Sequence, residues 1–254
     1  MDAVIRIGVV TPHAAAGPEV ELPAMAPGRV VTDVVRVPTE SGLVDTGTGP
    51  PTTADELRAL TEPAVLAAAA GMLARPLDVA GYASTTSAYS VGFAREAELV
   101  ETLSALLGVP VAGTCASAVL ALRALAVERV AVIGAPWFDP DLNDLGAAYF
   151  RSQGFDVVSS TSAELSKESD RIAPADVVAW TSRHVGDDAD GIFIGGNGFR
   201  AAAAVEPLEA ALGRPVLTSN QVLLWNLLIL AASPHRVTGF GRLFAHEPES
   251  GRAR

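Results

Sequence analysis

Several groups of polar residues follow directly on short apolar runs, at points where buried strands would end. Hydroxyls follow one run at 84–86, a thiol follows another at Cys115, and glycines with an amide follow a third at 195–198. In a parallel sheet such strand ends share one edge, where ligands commonly bind. Hydroxyls, amides and backbone N–H groups can hold a small anion. The pattern therefore predicts a pocket for a small polar ligand.

Cys115 and His13 are the side chains best suited to move a proton. Cys115 is the only cysteine of the chain. A free cysteine is commonly a small buried hydrophobe, and the alternative is an acid, base or nucleophile in the pocket. For His13, which follows the first apolar run, a general base with a pKa near neutrality competes with a histidine of a surface loop. Both are candidate catalytic residues, together with Ser84.

The hydroxyls of Ser84, Thr85 and Thr86 stand where a strand gives way to a helix, and such residues often cap helices. We expect the helix to begin only after Tyr89, which would leave the hydroxyls free to bind an anion such as a carboxylate. The glycines near 196 suit a sharp turn with positive φ and also a close approach of ligand to backbone. The predicted substrate-binding residues are Thr85, Thr86, Trp137, Gly196, Asn197, Gly198 and Asn220.

Composition narrows the class of protein. With 254 residues and 49% hydrophobic content, the chain can bury one large core or two smaller ones. Its net charge of −11 argues against nucleic acid or an anionic membrane as a partner. A single cysteine rules out an intramolecular disulfide and fits the cytoplasm. We expect no membrane span and no metal site, because neither a long apolar run nor a ligand-like spacing occurs.

Strand-like and helix-like segments alternate along the chain, and the second half restarts the order of the first. The matching pairs are 4–10 with 127–133, 78–82 with 190–194, and 107–111 with 212–216. Three matches in one order predict a duplicated α/β unit. The predicted loop at 41–51 and a single helix over 52–73 belong to the first copy, as does a helix over 93–107.

The duplication predicts an α/β fold of two pseudo-symmetric three-layer αβα domains. Each would contain a parallel four-stranded sheet with helices on both faces, and the cleft between them would hold the polar strand ends. We place the N-terminal half at 1–126 and the C-terminal half at 127–232. The remaining segment, 233–254, is expected to close the fold, packing on the N-terminal half.

Several segments carry a resemblance to a known superfamily, and their order and spacing are more specific than any one of them. They are 7–12 (IGVVTP), 118–125 (AVLALRAL), 212–216 (LGRPV) and 239–244 (GFGRLF). The chain resembles the aspartate/glutamate racemase superfamily, in particular its maleate isomerase and arylmalonate decarboxylase branch. The resemblance implies the same two-domain fold and a cofactor-independent isomerase or decarboxylase. Such an enzyme would act next to a carboxylate of a small organic acid, and related folds suggest a homodimer.

The chain departs from this superfamily at the positions that matter most for its chemistry. By the resemblance, the two usual catalytic cysteines would stand at Ser84 and Gly196, so both thiols are absent. The tyrosine that binds carboxylate corresponds to Trp137, whose larger ring would suit a bulkier or less charged substrate. The asparagine of the first loop corresponds to Ala15.

Two main functions stay open from the sequence. One is an isomerase or decarboxylase in which Cys115 or His13 handles the proton. The other is a catalytically altered or inactive protein that binds a small carboxylate. A hydrolase using Ser84 with His13 has less support, because the chain has no Gly-x-Ser-x-Gly motif around the serine.

Overall fold

The computed structural model describes residues 4–37, 54–233 and 236–246. The predicted loop at 41–51 lies outside these residues. Within them the chain forms two parallel four-stranded sheets, ordered β2-β1-β3-β4 and β6-β5-β7-β8. The strands are β1 Ile5–Thr11, β2 Val30–Arg36, β3 Val79–Tyr82, β4 Val111–Gly113, β5 Arg129–Gly134, β6 Asp156–Ser162, β7 Gly191–Ile194 and β8 Val216–Thr218.

Helices connect the strands and cover both sheets. They are α1 Pro18–Met25, α2 Ala54–Ala59, α3 Pro63–Met72, α4 Thr85–Val91, α5 Phe93–Leu107, α6 Thr114–Ala124, α7 Pro140–Ser152, α8 Pro174–His184, α9 Val205–Leu212 and α10 Ser219–Leu230. The strand order is the same in the two sheets when each is counted from its own first strand. The predicted fold, two pseudo-symmetric α/β halves with parallel sheets, is confirmed.

The inner strands β3 and β7 are covered by helices on both faces, which suits their apolar sequences. Every residue of β3 and β7 is buried, as expected for parallel strands between two helical layers. No helix in the described part of the chain is long and apolar enough to cross a membrane.

The final helix of each half packs against the sheet of the other half. Leu122 of α6 shares a hydrophobic core with Leu217 of β8. Leu223 of α10 belongs to the core of β1 and β3, where it lies so close to Gly81 that an added Cβ would be 3.2 Å from Leu223 Cδ1. The halves are therefore interlocked, and the domain boundary near Ala126 stays a prediction.

The closing segment contacts both cores. Val237 packs with β1 and α10, whereas Leu243, in a 3-10 helix over Arg242–Ala245, is fully buried in the core of the second half. The single helix predicted over 52–73 is wrong in one respect, because it divides into α2 and α3. Pro63 occupies the first turn of α3, where proline is favoured because it lacks an N–H.

Candidate active site

The loops that follow β1, β5 and β7 meet at the boundary between the two halves. Gly17, after β1, lies so close to the β7 loop that an added Cβ would be 2.1 Å from the Asn197 carbonyl oxygen. A Cβ on Gly198 would be 3.6 Å from Trp137 Cζ2 and 3.9 Å from His13 Nδ1. Sequence positions separated by more than 180 residues thus form one polar region.

His13 is buried in this region, with 1% of its surface exposed. Neither of its ring nitrogens has a hydrogen-bond partner within the protein. Burial, followed by the positive charge of Arg36, lowers the pKa of His13 to about 4, so the imidazole is neutral at pH 7. Both expectations for His13, a surface position and a pKa near neutrality, are therefore wrong.

Of the hydroxyls that follow β3, one caps a helix and another has no hydrogen-bond partner. Helix α4 begins at Thr85, and Ser84 is its N-cap, accepting a hydrogen bond of 3.1 Å from the Ser87 backbone N–H. The expectation that this helix begins after Tyr89 is wrong, because Ser84 is extended and free to cap. Thr86 Oγ1 lies 3.3 Å from Ser84 Oγ. The buried Thr85 hydroxyl has no partner.

Trp137, after β5, presents a third group of this kind. Its indole Nε1 is buried without a hydrogen-bond partner, and its ring packs edge-on against Phe199 at a centroid distance of 6.1 Å. Nearby, Asp139 caps α7 by accepting a hydrogen bond from the Leu142 N–H at 2.8 Å.

The unpartnered groups of His13 and Trp137 therefore stand on the loops after β1 and β5, and that of Thr85 on the first residue of α4, after β3. The ends of β1 and β3 are tied together, because the Thr11 hydroxyl donates to the Ala83 carbonyl at 2.8 Å. Buried polar groups are nearly always hydrogen-bonded, and one left unpaired costs about 1–3 kcal/mol. These three groups are suited to bond a ligand.

Asn197 and Asn220 bond to each other and to neighbouring side chains. Asn197 Nδ2 donates to Asn220 Oδ1 at 2.9 Å and to Thr114 Oγ1 at 3.2 Å. Asn220 Nδ2 donates to the Asn197 carbonyl at 2.8 Å and to Glu21 Oε2 at 2.7 Å. An amide group has two N–H bonds, so both donors are engaged in each residue. The predicted role of both in substrate binding stays a prediction, and here they brace the β7 loop.

Glu21 was missed by the sequence reasoning. It is 7% exposed, and its second oxygen accepts a hydrogen bond of 2.8 Å from the Ala202 N–H. Burial raises the pKa of Glu21 to about 7, against the opposing effect of its hydrogen bonds and of Arg200. Its spacing from the apolar residues of α1 could have revealed its burial, because Glu21 lies on the helix face that also buries Leu22 and Met25.

Gly196 is held in a backbone conformation that suits glycine. Its φ is +104°, and an added Cβ would lie 2.8 Å from the Cβ of Ala135. The predicted positive φ is confirmed. A side chain at this position would therefore strain the backbone as well as overlap its neighbour.

Cys115 is fully buried in the first turn of α6, rather than at the end of a strand. Its sulfur lies 3.9 Å from the Thr85 carbonyl oxygen, in a core shared with Tyr89 and Phe150. Burial, followed by the charge of Glu96, raises the pKa of the thiol, so the sulfur stays protonated. A catalytic role for Cys115 stays a prediction.

Metal-binding geometry is not found among the residues that the structure describes, which contain no group of three or more His, Cys, Asp or Glu residues able to hold an ion.

Comparison with known proteins shows which family the chain belongs to. The model of the arylmalonate decarboxylase family matches residues 56–244. The chain belongs to the arylmalonate decarboxylase family. Arylmalonate decarboxylase of Bordetella bronchiseptica is 27% identical over 165 residues, which cover 63% of this chain and 68% of that protein. The predicted resemblance to this branch is confirmed.

Solved structures of arylmalonate decarboxylases and maleate isomerases share the fold. A sulfate-associated mutant of arylmalonate decarboxylase has a TM-score of 0.75 at 24% identity, covering 94% of this chain and 99% of its own. Maleate isomerase of Pseudomonas putida S16 has a TM-score of 0.79 at 22% identity, covering 95% and 98%. The family is named for a decarboxylase, which supports an enzyme at this coarse level.

Proposed function

We propose that this member of the arylmalonate decarboxylase family acts, without a cofactor, on the carbon next to a carboxylate of a small organic acid. The observation that carries the proposal is the set of unpartnered buried groups on His13, Thr85 and Trp137. Each can donate a hydrogen bond to an oxygen atom. A homodimer and a cytoplasmic location remain predictions.

The three groups suit a carboxylate that gains charge during a reaction. The Thr85 hydroxyl would hold one carboxylate oxygen. The Trp137 N–H and one N–H of neutral His13 would face the oxygen where negative charge develops. Fixed donors in a buried site stabilise such charge strongly, because they need no reorganisation. A neutral imidazole can serve in this way as an N–H donor.

Decarboxylation fits these residues better than isomerisation through a thiol adduct. In decarboxylation the bond to the departing carboxylate breaks, CO2 leaves, and the electron pair passes to the α-carbon and the remaining carboxylate as an enediolate. The α-carbon then takes a proton from an acid, for which the protonated thiol of Cys115 is the candidate, whereas neutral His13 serves as a hydrogen-bond donor. Because its pKa is raised, the Cys115 thiol stays protonated, which suits a proton donor better than a nucleophile.

The isomerase route, by contrast, has no evident nucleophile here. A maleate cis-trans isomerase of Nocardia farcinica has been observed with a covalently bound succinylcysteine intermediate. By the resemblance, the positions of the family's catalytic cysteines are here Ser84, which caps α4, and Gly196, whose φ is +104°.

Turnover of a panel of substituted malonates and maleate tests the proposal. We expect CO2 release from a substituted malonate, with the product followed by proton NMR. His13→Asn should lower kcat/KM at least about 100-fold, as for loss of a donor to the developing charge. Cys115→Ser is measured in parallel, and full activity in this variant assigns the proton to another donor. Turnover that is unchanged in His13→Asn would contradict the role of the imidazole.

Thr85→Val separates binding from folding in the same assay. The substitution keeps the shape and removes the unpartnered hydroxyl, so the free energy of unfolding should rise by about 1 kcal/mol while kcat/KM falls about tenfold. Thr61→Val is the matched control. Its hydroxyl donates to the Arg58 carbonyl at 2.7 Å, so that variant should lose about 1 kcal/mol and keep its activity. A Thr85→Val protein with wild-type kinetics would remove Thr85 from the site.

A protein that binds a carboxylate without turnover is the second candidate. It is favoured by one observation, the burial of the only thiol in a hydrophobic core. In that case the same ligands would raise the melting temperature by mass action and yield no product. Product from any ligand in the panel rejects this candidate.

A further inference from the structure

Arg36, the last residue of β2, reaches across the end of β1 to the backbone of the His13 loop. The two strands pair so that Arg36 stands beside Thr11. From there Arg36 Nε donates to the His13 carbonyl at 3.0 Å, and Nη2 lies 3.5 Å from the Ala15 carbonyl oxygen. One guanidinium thus contacts two backbone carbonyls of the loop, at His13 and Ala15.

Glu19 in the first turn of α1 completes this arrangement. Its carboxylate forms an ion pair with Arg36 Nη2, and its other oxygen accepts a hydrogen bond of 2.9 Å from the Gly17 N–H. Burial raises the pKa of Glu19, but its hydrogen bonds and the charge of Arg36 outweigh this effect and lower it. The loop is therefore held at His13, Ala15 and Gly17 by one ionised pair.

The held loop is the one that contacts the other half of the molecule. Gly17 abuts the Asn197 carbonyl, and His13 lies beside Gly198. A shift of this backbone would move the imidazole away from Trp137 and the β7 loop. Misplacement by about 1 Å can cost a factor of about 100 in rate.

Arg36 is the charged group that acts on the imidazole, and Glu19 on α1 pairs with it. The region also contains Glu21 on α1, which bonds to Asn220 and feels the charge of Arg200, whereas Gly198 and Trp137 of the other half bring no charge to His13. The positive charge of Arg36 opposes protonation of His13, in addition to the effect of burial.

We propose that Arg36 and Glu19 are positioning residues, which hold the His13 loop against the β7 loop and place the Arg36 charge beside the imidazole. This role does not require contact with substrate. The expected effect of the two residues on activity rests on the proposed function, whereas the expected effect of Arg36 on the pKa of His13 does not.

Two substitutions at Arg36 separate geometry from charge. Arg36→Lys keeps the charge and loses the planar fork of donors, whereas Arg36→Gln loses both. We follow His13 by NMR with labelled histidine, assigned with the His13→Asn variant, and measure kcat/KM across pH. The pKa of His13 should rise in Arg36→Gln and remain low in Arg36→Lys. In both variants kcat/KM should fall about 10- to 100-fold.

Arg95→Gln is the matched control, because it removes an exposed pair with Glu98 on α5, and it should change neither readout. An unchanged His13 pKa in Arg36→Gln overturns the charge effect. Wild-type kcat/KM in Arg36→Lys overturns the positioning by hydrogen bonds. If no substrate of the panel is turned over, the proposed function fails, while the NMR titration still decides the inference.

Discussion

Gly17→Ala is expected to destabilise the fold by at least about 3 kcal/mol and to abolish activity. The added Cβ would lie 2.1 Å from the Asn197 carbonyl oxygen and 2.8 Å from its carbon. Both are backbone atoms, so no side chain can rotate to make room. Either the β7 loop or the His13 loop must move, and the contact between the two halves opens. Urea unfolding and kcat/KM of the purified variant measure the two effects.

A matched glycine in open surroundings controls for the loss of backbone freedom. Gly71 lies in α3 with no atom within 4 Å of an added Cβ. Gly71→Ala should stabilise the protein by about 0.5–1 kcal/mol, since alanine restricts the unfolded chain and favours helix. If Gly17→Ala matched Gly71→Ala in stability and activity, the two loops would not be in contact as described.

Removal of the Glu96 carboxylate is expected to cost about 4 kcal/mol of stability, because it leaves several buried groups without partners. Glu96 is 1% exposed and accepts hydrogen bonds from the Cys115 N–H at 3.1 Å and the Ala116 N–H at 3.2 Å. The Tyr149 hydroxyl bonds to its other oxygen. Glu96→Ala tests this cost in urea unfolding, and Glu98→Ala on the exposed face of the same helix should change stability by less than about 0.5 kcal/mol.

The same carboxyl gives the stability a pH dependence of known sign. Burial raises the pKa of Glu96 to about 7, from an ordinary value of 4.5. The folded protein then binds the proton more tightly than the unfolded chain. This contribution is complete below pH 4.5 and is lost as the pH rises through about 7, at about 1.4 kcal/mol per pH unit. Glu21 acts with the same sign, and His13, whose pKa is lowered, acts with the opposite one.

Glu96→Gln isolates this contribution because it retains the size and removes the titration. Between pH 5 and 7, its free energy of unfolding should fall less steeply with pH than that of the wild type. The difference between the slopes should approach one proton. Parallel slopes for the two proteins would show that Glu96 is ionised in the folded state across this range.

Helix α5 and the inner strands could be predicted from the sequence because their signals are local. The predicted helix over 93–107 coincides with α5, which ends at Gly108 in the left-handed conformation. Strand β6 was not identified individually, because its sequence DVVSSTS alternates between buried and exposed positions at the edge of a sheet. The start of α4 was misplaced because a serine that caps a helix and one that binds a ligand look alike in sequence.

The sequence by itself determined the duplicated α/β fold, the family, and the polar strand ends that form the candidate site. These follow from periodicity and from a repeat that survives in the order of its segments. Only the tertiary structure decided the state of each polar group. Asn220 and Glu21 bond across 199 residues, and His13 is neutral because burial and Arg36 act on it together. Such pairings depend on distances and electrostatic interactions in the folded chain, which the spacing of residues along the sequence does not reveal.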